Sequence, residues 1–401
     1  MIFRSRLKVM LFKLGLTVII LVAVYMYYAI NKSNEDDDEP VMLDKHVEVV
    51  SDKRPVINDI EKKGIDNVES SILDTSNKRL SLRKESIHLA VVSCGDRMEE
   101  SLVMLKSAVL FTRSHLVFHV FTEKENIKSF QEQLDFWPPD YQDKFDYEVY
   151  SIQFPDSDKF KAEDWKKLFK PCACQRLFLP SILTDIDSIL YVDTDVLFLS
   201  PVDDIWKLFE LFNSTQLAGL APEHEDKAMG WYNRFARHPY YGELGVNSGV
   251  MLMNLTRLRS SPWLISMHNY IIEYKLKITY GDQDLINIYF HYFPEQLYVF
   301  GCAMNYRADH CMYMSICKPA EKTGVYVLHG SRRVWFEDKQ PAFKAVYNAF
   351  KEHRLRGSIK FELLLKLNSL LKKSPESNCG KVSEIFTKQI EMYVNSTSRQ
   401  P

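Results

Sequence analysis

Short apolar runs alternate with segments of helical spacing from residue 87 onward. IHLAVVSCG, HLVFHVFTE and SILYVDTD are typical of buried strands, and FDYEVYSIQF alternates like a further strand. MEESLVMLKSAVLF, NIKSFQEQL and CQRLFLPSIL have the spacing of helices. Strands that alternate with helices indicate βαβ units. The pattern therefore predicts an α/β fold with a mainly parallel sheet flanked by helices, in one domain over residues 86–401.

Two carboxylates interrupt one of these apolar runs. Asp193 and Asp195 lie within ILYVDTDVLFLSPVDDIW, where apolar residues flank them on both sides. An unpaired buried charge is costly, so a compensating group is expected. A kink at the strand end would let both side chains reach one Mg²⁺ or Mn²⁺ ion. A turn with two solvated acids is the alternative, and we expect Asp203 and Asp204 to cap a following helix.

Two further polar motifs adjoin predicted elements. GVNSGVMLMNL combines turn chemistry with a buried strand, so Asn247 is a candidate contact for a sugar or a phosphate. An ordinary junction of loop and strand is the alternative. YGDQDLINIYF starts a helix with Asp282 and Gln283, although Asp282 could serve only as the N-cap.

The last polar motif is VYVLHGSRRVW, in which a predicted strand delivers His329. This histidine is a candidate nitrogen ligand, whereas a hydrogen-bonded surface histidine is the alternative. Arg332 and Arg333 are candidates for clamping a phosphate. Ligands of α/β sheets bind outside the carboxyl ends of the strands, so we expect these motifs to meet there.

The first 85 residues differ from the rest. Residues 14–30 are uncharged and long enough to span a bilayer, with basic residues before them and an acidic run at 35–39 after them. The positive-inside rule then predicts a cytoplasmic tail at 1–13, a signal anchor at 14–30 and a translocated remainder that begins with a polar stem at 31–85. A cleaved signal peptide is the alternative.

A translocated chain enters an oxidising compartment, so disulfides are expected. Cys94 lies in a predicted strand and is expected to be a free buried thiol. The cysteines expected to pair are Cys172, Cys174, Cys302, Cys311, Cys317 and Cys379. Zinc binding by Cys302, Cys311 and Cys317 is the alternative. Three sequons, at Asn213, Asn254 and Asn395, predict glycan sites, and the net charge of −2 argues against nucleic-acid binding.

In this order and context, the four polar motifs resemble the retaining glycosyltransferase family that includes glycogenin and bacterial galactosyltransferases of lipooligosaccharide synthesis. The resemblance extends from about Ile87 to about Pro341 and implies a GT-A type, Rossmann-like fold. Phrases such as YVDTDVLFLSPVDDIW, GWYNRFARHPYYG and TYGDQDLINI are similar to the glucoside xylosyltransferases. This implies transfer of xylose from UDP-xylose, in α1,3 linkage, to O-linked glucose on EGF-like repeats of Notch-type proteins.

The resemblance also implies roles for individual residues. Asp193, Asp195 and His329 would bind Mn²⁺. Contacts to UDP-xylose are implied for Val92, Ser93, Cys94, Arg176, Thr194, Asn247, Gly330, Arg332 and Arg333. Asp282 and Gln283 would lie near the anomeric carbon, as catalytic candidates. The family motif has Lys-Pro-Trp where this chain has Arg-Val-Trp, so the choice between Arg332 and Arg333 as the diphosphate contact stays open.

Retention of configuration needs either a double displacement or attack on the face from which the leaving group departs. The matching position is Gln283, whose amide is a poor nucleophile, so same-face attack is favoured. Residues 221–242 are expected to form the acceptor side, with Trp231 and Tyr232 stacking on the acceptor. The resemblance implies a type II membrane protein of the Golgi or endoplasmic reticulum.

Three other functions remain open at this stage. A related retaining transferase would use UDP-glucose or UDP-galactose, or a different glycan acceptor. A metal-dependent phosphohydrolase is disfavoured because such sites usually gather more acids. A membrane-tethered lectin would have little use for the Asp-x-Asp motif and His329 together.

Overall fold

The computed structural model describes residues 86–154, 162, 165, 172, 174–374 and 376–397. The predicted tail, signal anchor and stem lie outside the described residues, and those assignments stay predictions. Within the described part of the chain, no helix combines the length and the apolar character needed to cross a membrane.

The described residues form a central seven-stranded sheet and a separate two-stranded sheet. The strands are β1 (Ile87–Val92), β2 (Leu116–Thr122), β3 (Phe145–Ser151), β4 (Ser188–Val192), β5 (Val196–Phe198), β6 (Ala218–Pro222), β7 (Val246–Asn254), β8 (Leu297–Val299) and β9 (Val327–His329). The central order is β3-β2-β1-β4-β7-β6-β8. β7 runs antiparallel to β4 and β6, and the other pairings are parallel. The prediction of a mainly parallel sheet is confirmed.

The hydrophobic pattern of each strand follows its place in the sheet. β2 lies inside the sheet, and all its residues are buried, as its near-continuous apolar run predicts. β3 lies at the edge and alternates between more and less buried positions. The two-stranded sheet pairs β5 with β9 in antiparallel orientation, so that Val196 lies opposite His329. This pairing brings the end of β9 beside the Asp-x-Asp segment.

Helices and helical turns connect and cover the strands. The α-helices are α1 (Met98–Phe111), α2 (Ile127–Asp135), α3 (Pro139–Gln142), α4 (Leu179–Ile182), α5 (Val202–Trp206), α6 (Trp231–Phe235), α7 (Leu255–Arg259), α8 (Trp263–Tyr274), α9 (Asp282–Tyr292), α10 (Lys318–Thr323), α11 (Pro341–Glu352), α12 (Leu365–Leu371), α13 (Asn378–Lys381) and α14 (Lys388–Thr397). A π-helix spans Ile359–Leu364. The 3₁₀ turns are Gly95–Arg97, Lys124–Asn126, Gln175–Phe178, Lys207–Leu211, Pro294–Gln296, Cys302–Met304, Ala308–His310 and Ser383–Phe386.

The apolar core divides along the faces of the sheet. Leu89 and Val91 of β1 pack with α1 on one face, and Ala90 packs with the residues of α8 and α9 on the other. A third cluster joins the C-terminal helices to the two-stranded sheet, with Phe343 and Leu367 among its members. The C-terminal segment therefore packs on the domain that carries the polar motifs. That contact fixes the position of β9, and so of His329.

The cysteine prediction was wrong in its choice of thiol. β1 ends at Val92, so Cys94 lies in the turn beyond the strand and forms a disulfide with Cys172. Cys174 is buried and carries the thiol. The other disulfides are Cys302–Cys317 and Cys311–Cys379. All three cysteines of the zinc alternative are therefore in disulfides and are not available as thiolate ligands. The apolar run alone could not show that the strand stops two residues before Cys94.

Asp203 and Asp204 lie in the first turn of α5, but Pro201 is its N-cap and no side chain among the described residues caps the helix, so the expected capping role is wrong. Asp203 accepts hydrogen bonds from the Arg113 backbone N–H and the Ser114 hydroxyl, which follow α1. These acids therefore fasten α5 to the end of α1. No role in ligand binding follows from their position.

Candidate active site

A cleft of about 300 Å³ opens where the carboxyl end of β4 meets the amino end of β7. The residues predicted from sequence that line it are Arg176, Asp193, Asp195, Asn247, Asp282, Gln283, His329 and Arg332. They come from segments far apart in the chain. The antiparallel β7 is what places the Asn-Ser-Gly turn at the same end of the sheet as Asp193.

Asp193, Asp195 and His329 converge at the floor of this cleft. The Nε2 atom of His329 lies 3.3 Å from Oδ1 of Asp195 and 3.9 Å from Oδ2 of Asp193. One ligand atom from each residue can be chosen so that all three lie within 4.8 Å of one another. Backbone hydrogen bonds fix the geometry: Asp193 N–H donates to Gly249 O at 2.9 Å, and Gly330 N–H donates to Asp195 O at 2.6 Å.

Gly249 makes room for the histidine ring. A Cβ atom at this position would collide with the imidazole atoms of His329. The glycine of the Asn-Ser-Gly turn is therefore required by close packing between β7 and the end of β9. From sequence, this turn was a candidate contact for a sugar or a phosphate through Asn247, whereas the close neighbour at Gly249 is His329.

A buried amide fixes which nitrogen of His329 is available. Nδ1 of His329 lies 2.9 Å from Oδ1 of Asn305, which requires Nδ1 to carry the proton. The Asn305 amide is oriented in turn, because its Nδ2 donates to Oδ1 of Asn247 at 2.9 Å. Asn247 Oδ1 must be the acceptor, since the backbone N–H of Gly249 also donates to it, at 3.1 Å. Nε2 is therefore the nitrogen that faces the two carboxylates.

Two carboxylates and one imidazole nitrogen suit Mn²⁺ or a similar divalent ion. The outer hydrogen bond from His329 to Asn305 is the kind that orients a metal-ligating histidine. The donor atoms and their separations thus fit the metal that the sequence predicted.

The same hydrogen-bond network continues from Asn247 to Gln283. Nδ2 of Asn247 and the backbone N–H of Ser248 both donate to Oε1 of Gln283, each at 3.1 Å. Nε2 of Gln283 then donates to the hydroxyl of Tyr232 at 3.3 Å. The Tyr232 hydroxyl donates to Oδ1 of Asp284 at 2.9 Å. A continuous relay of side chains therefore joins His329, the candidate metal ligand, to a buried acid.

Tyr232 corrects a prediction. It was expected to stack on the acceptor, but it is only 1% exposed and its hydroxyl is a hub of this relay. Burial raises the pKa of Tyr232 well above its usual value, so the hydroxyl stays protonated. The aromatic ring next to it, Trp231, is half-buried and lies against Tyr280, with ring centroids 4.4 Å apart.

Arg176 compensates the acids on the other side of the cleft. Its Nη2 lies 2.9 Å from Oδ1 of Asp193, and its Nε lies 2.5 Å from Oδ2 of Asp282. Nη1 donates to the backbone oxygen of Ser248 at 2.6 Å, and the guanidinium stacks on the Tyr191 ring at 4.4 Å. Burial raises the pKa of Asp282 to about 7, although Arg176 acts in the opposite direction. Gly281 is the N-cap of α9, so Asp282 is not the cap.

Glu100 is a further acid beside the Asp-x-Asp segment. Glu100 of α1 is buried, and its Oε2 accepts a hydrogen bond from Thr194 Oγ1 at 3.3 Å and pairs with Arg97 at 2.5 Å. Burial raises the pKa of Glu100. Burial would raise the pKa of Asp195 too, but His329 and Arg97 hold it below the usual range. Arg97 and Glu100 were not predicted from sequence.

The structure does not bring every predicted contact to the cleft wall. The predicted residues that do not line it are Val92, Ser93, Cys94, Thr194, Gly330 and Arg333. The Ser93 hydroxyl accepts a hydrogen bond from Ser101, and Gly330 packs against the ring of Trp335. Arg333 is exposed, with its guanidinium 5.6 Å from the Phe336 ring. Of the two arginines in question, Arg332 is the one that lines the cleft.

Sequence comparison identifies the protein family. The family model described as glycosyl transferase family 8 matches residues 88–315, which is more than half of the chain. The chain belongs to glycosyltransferase family 8. The match begins in β1 and includes the Asp-x-Asp segment, the Asn-Ser-Gly turn and the start of α9. The polypeptide is therefore an enzyme that transfers a sugar.

Individual family 8 proteins are similar over most of the chain. Glucoside xylosyltransferase 2 of Mus musculus is 54% identical over 76% of this chain and 70% of its own length. Glucoside xylosyltransferase 1 of Homo sapiens is 52% identical over 76% of this chain and 71% of its own length. These identities confirm the resemblance on which the sequence predictions rested.

Comparison with solved structures supports the fold. The galactosyltransferase LgtC, crystallised in complex with donor and acceptor sugar analogs, has a TM-score of 0.51 at 16% sequence identity. The match covers 69% of this chain and 99% of LgtC. The family 8 chain thus has a GT-A-like α/β fold. Glycosyltransferases of this type use a divalent metal and a nucleotide-sugar donor, and the Asp-x-Asp site is present.

Proposed function

We propose that this family 8 enzyme is a retaining xylosyltransferase that moves xylose from UDP-xylose to a glucoside, in α1,3 linkage, with Mn²⁺ bound. The observation that carries the proposal is the convergence of Asp193, Asp195 and His329 beside Asp282 and Gln283 in one cleft. The relatives named glucoside xylosyltransferase support the choice of sugars.

Asp193, Asp195 and Nε2 of His329 would hold the metal. When bound, the ion supplies positive charge for a diphosphate and Lewis acidity for the leaving group. Arg176 adds a fixed cation on the same side, already aligned by Asp193 and Asp282. The Arg176 guanidinium is buried and held by three partners, so it needs little reorganisation when a phosphate or a sugar binds.

Gln283 favours same-face attack over double displacement. Its Oε1 accepts hydrogen bonds from Asn247 and from the Ser248 backbone, so both acceptor positions of this oxygen are already occupied. An amide oxygen is also a weaker nucleophile than a carboxylate oxygen. The carboxylate of Asp282, which precedes Gln283 in the chain, pairs with Arg176. Neither group is arranged as a free nucleophile. The acceptor 3-hydroxyl would then lose its proton to the leaving phosphate as the new bond forms.

The acceptor is proposed to be O-linked glucose on EGF-like repeats of secreted or membrane proteins. Tyr280 lines the cleft and packs on Trp231 with the two ring planes tilted by 52°, and such an aromatic wall suits a sugar or a protein surface. The proposal includes anchoring by residues 14–30 and a Golgi or endoplasmic-reticulum location, with the transferase domain in the lumen.

Release of UDP from a panel of donors tests this function. The purified enzyme is given UDP-xylose, UDP-glucose or UDP-galactose with Mn²⁺, with and without a β-glucoside acceptor. Acceptor-stimulated release from UDP-xylose above the other two is expected. Preference for UDP-glucose or UDP-galactose would favour the related transferase. Phosphate release without an acceptor would favour a hydrolase, and no turnover at all would favour the lectin.

A further inference from the structure

A second group of charged side chains lines the cleft, and of its members only Arg332 was a candidate for contact with the donor. It consists of Glu223 after β6, Arg307 and Asp309 at the 3₁₀ turn Ala308–His310, and Arg332 after β9. Their ion pairs and hydrogen bonds link them to one another: Arg332 pairs with Asp309, and Arg307 donates to the backbone oxygen of Glu223. We call these four residues the acid–arginine cluster.

Arg307 is the buried member of the cluster. Its side chain is 1% exposed, and Nη2 donates to the backbone oxygens of Pro222, at 3.3 Å, and Glu223. Its Nη1 atom is buried and has no hydrogen-bond partner among the described residues. Burial lowers the pKa of Arg307, but Glu223 and Asp309 oppose that shift. A buried guanidinium nitrogen without an acceptor is costly, so an acceptor from a ligand is expected there.

The two carboxylates are similarly incomplete. Oε2 of Glu223 accepts the backbone N–H of Trp231 at 3.3 Å, and Oδ1 of Asp309 pairs with Arg332. In the described part of the chain, the second oxygen of each carboxylate accepts no hydrogen bond. Each therefore has capacity for a donor from a ligand in the cleft.

Arg332 and Tyr280 complete the wall. Arg332 has φ of 60°, a left-handed conformation that a non-glycine residue adopts only when its surroundings impose it. This conformation accompanies the contact of its guanidinium with Asp309. Tyr280 is 45% exposed, lines the cleft and packs on Trp231. An aromatic face beside charged acceptors and donors suits a pyranose ring, which has apolar faces and hydroxyls at its edge.

We propose that the acid–arginine cluster is the subsite for the acceptor glucose, with Glu223 and Asp309 accepting from its hydroxyls and Arg307 donating to one of them. The inference rests on the proposed function, since it assumes a glucoside acceptor. It assigns specificity for the acceptor to Glu223, Arg307 and Asp309, which have no role in the donor chemistry proposed above. Arg332 orients Asp309 through their ion pair.

The test compares steady-state constants of Glu223→Gln, Asp309→Asn and the parent enzyme. Each variant removes a charged acceptor while keeping its shape, so the KM for a β-glucoside should rise roughly 10–100-fold, as for loss of a hydrogen bond to a charged group. The KM for UDP-xylose and the slow hydrolysis of UDP-xylose without acceptor should stay the same. Glu225→Gln is the matched control, because Glu225 is exposed on the same loop and lies outside the cleft lining.

Deoxy acceptors separate recognition from a structural role. If Glu223 binds one hydroxyl, Glu223→Gln should raise the KM for the parent glucoside but not for the analogue that lacks that hydroxyl. An equal rise for every analogue, an unchanged acceptor KM, or a matching rise in the donor KM would overturn the inference. If the parent enzyme neither hydrolyses UDP-xylose nor transfers xylose, it is the proposed function that fails.

Discussion

The two walls of the cleft are built in different ways. The metal side is made from strand ends: Asp193 follows β4, Asp195 precedes β5 and His329 ends β9. Buried amides hold these residues from behind. The acid–arginine cluster is made from loops and a 3₁₀ turn, and Arg332 and Asp309 meet near the surface. Rigid strands suit a reaction centre that needs fixed distances, whereas loops can vary with the acceptor.

The largest effect is expected at the metal side. Asp195→Asn removes a charged ligand, so activity should fall by more than the roughly 10–100-fold typical for loss of an outer-shell partner. Binding of Mn²⁺, followed by calorimetry, should be lost as well. Asp204→Asn is the control, because Asp204 lies in the first turn of α5 and pairs with Arg113. Near-normal activity of Asp195→Asn would contradict the metal assignment.

Asn305 should matter nearly as much, although it touches no ligand in the proposed reaction. Asn305→Ala removes the acceptor for Nδ1 of His329 and leaves the imidazole free to change its tautomer. Mn²⁺ affinity should weaken roughly 10–100-fold, with the acceptor KM little changed. Calorimetric titration measures the Mn²⁺ affinity, and initial rates at varied acceptor concentration measure the acceptor KM. An unchanged Mn²⁺ affinity would show that the hydrogen bond from His329 to Asn305 does not position the imidazole for the metal.

Tyr232 tests how far the buried relay extends. Tyr232→Phe leaves Asp284, Gln283 and Asn287 without their shared hydroxyl, so the free energy of unfolding should fall by roughly 1–3 kcal/mol. Because the Gln283 amide loses its anchor, kcat should fall more than either KM rises. Urea unfolding and steady-state kinetics measure the two effects. A rise in the acceptor KM alone would indicate that Tyr232 contacts the acceptor, as the sequence predicted.

A smaller effect concerns pH. The pKa of Asp282, about 7 in the folded protein against an ordinary 3.8, means that the folded state binds more protons than the unfolded state between these values. The contribution of Asp282 to the free energy of unfolding should therefore decrease as pH rises through that window. Asp282→Asn should remove this slope.

Urea unfolding in EDTA at several pH values measures that slope. Asp185→Asn, at an exposed position, is the control and should keep the slope of the parent. Identical pH dependence in the Asp282→Asn variant and the parent would show that burial does not govern this carboxyl.

The metal side could be predicted from sequence because its residues adjoin regular apolar patterns. The run before Asp193 and the run before His329 mark strand ends, and α/β sheets bind ligands at such ends. The resemblance then assigned Gln283 and Asp282. These residues do share one cleft in the structure.

The remainder of the site depends on tertiary contacts. Asn305, Arg307 and Asp309 lie in an irregular segment that a disulfide between Cys302 and Cys317 closes, and no periodicity points to them. Tyr232 was misplaced because a sequence does not show whether a hydroxyl finds buried partners. The site residues at strand ends could therefore be predicted from sequence, whereas the residues that only tertiary contacts bring to the site could not.

The most direct test of the central claim is xylosyl transfer from UDP-xylose to a β-glucoside, measured with Mn²⁺ and with EDTA, with the product linkage read by NMR. We expect an α-linked xylose at the glucose 3-position that forms only when the divalent ion is present. Transfer that EDTA does not reduce, or a β-linked product, would contradict it.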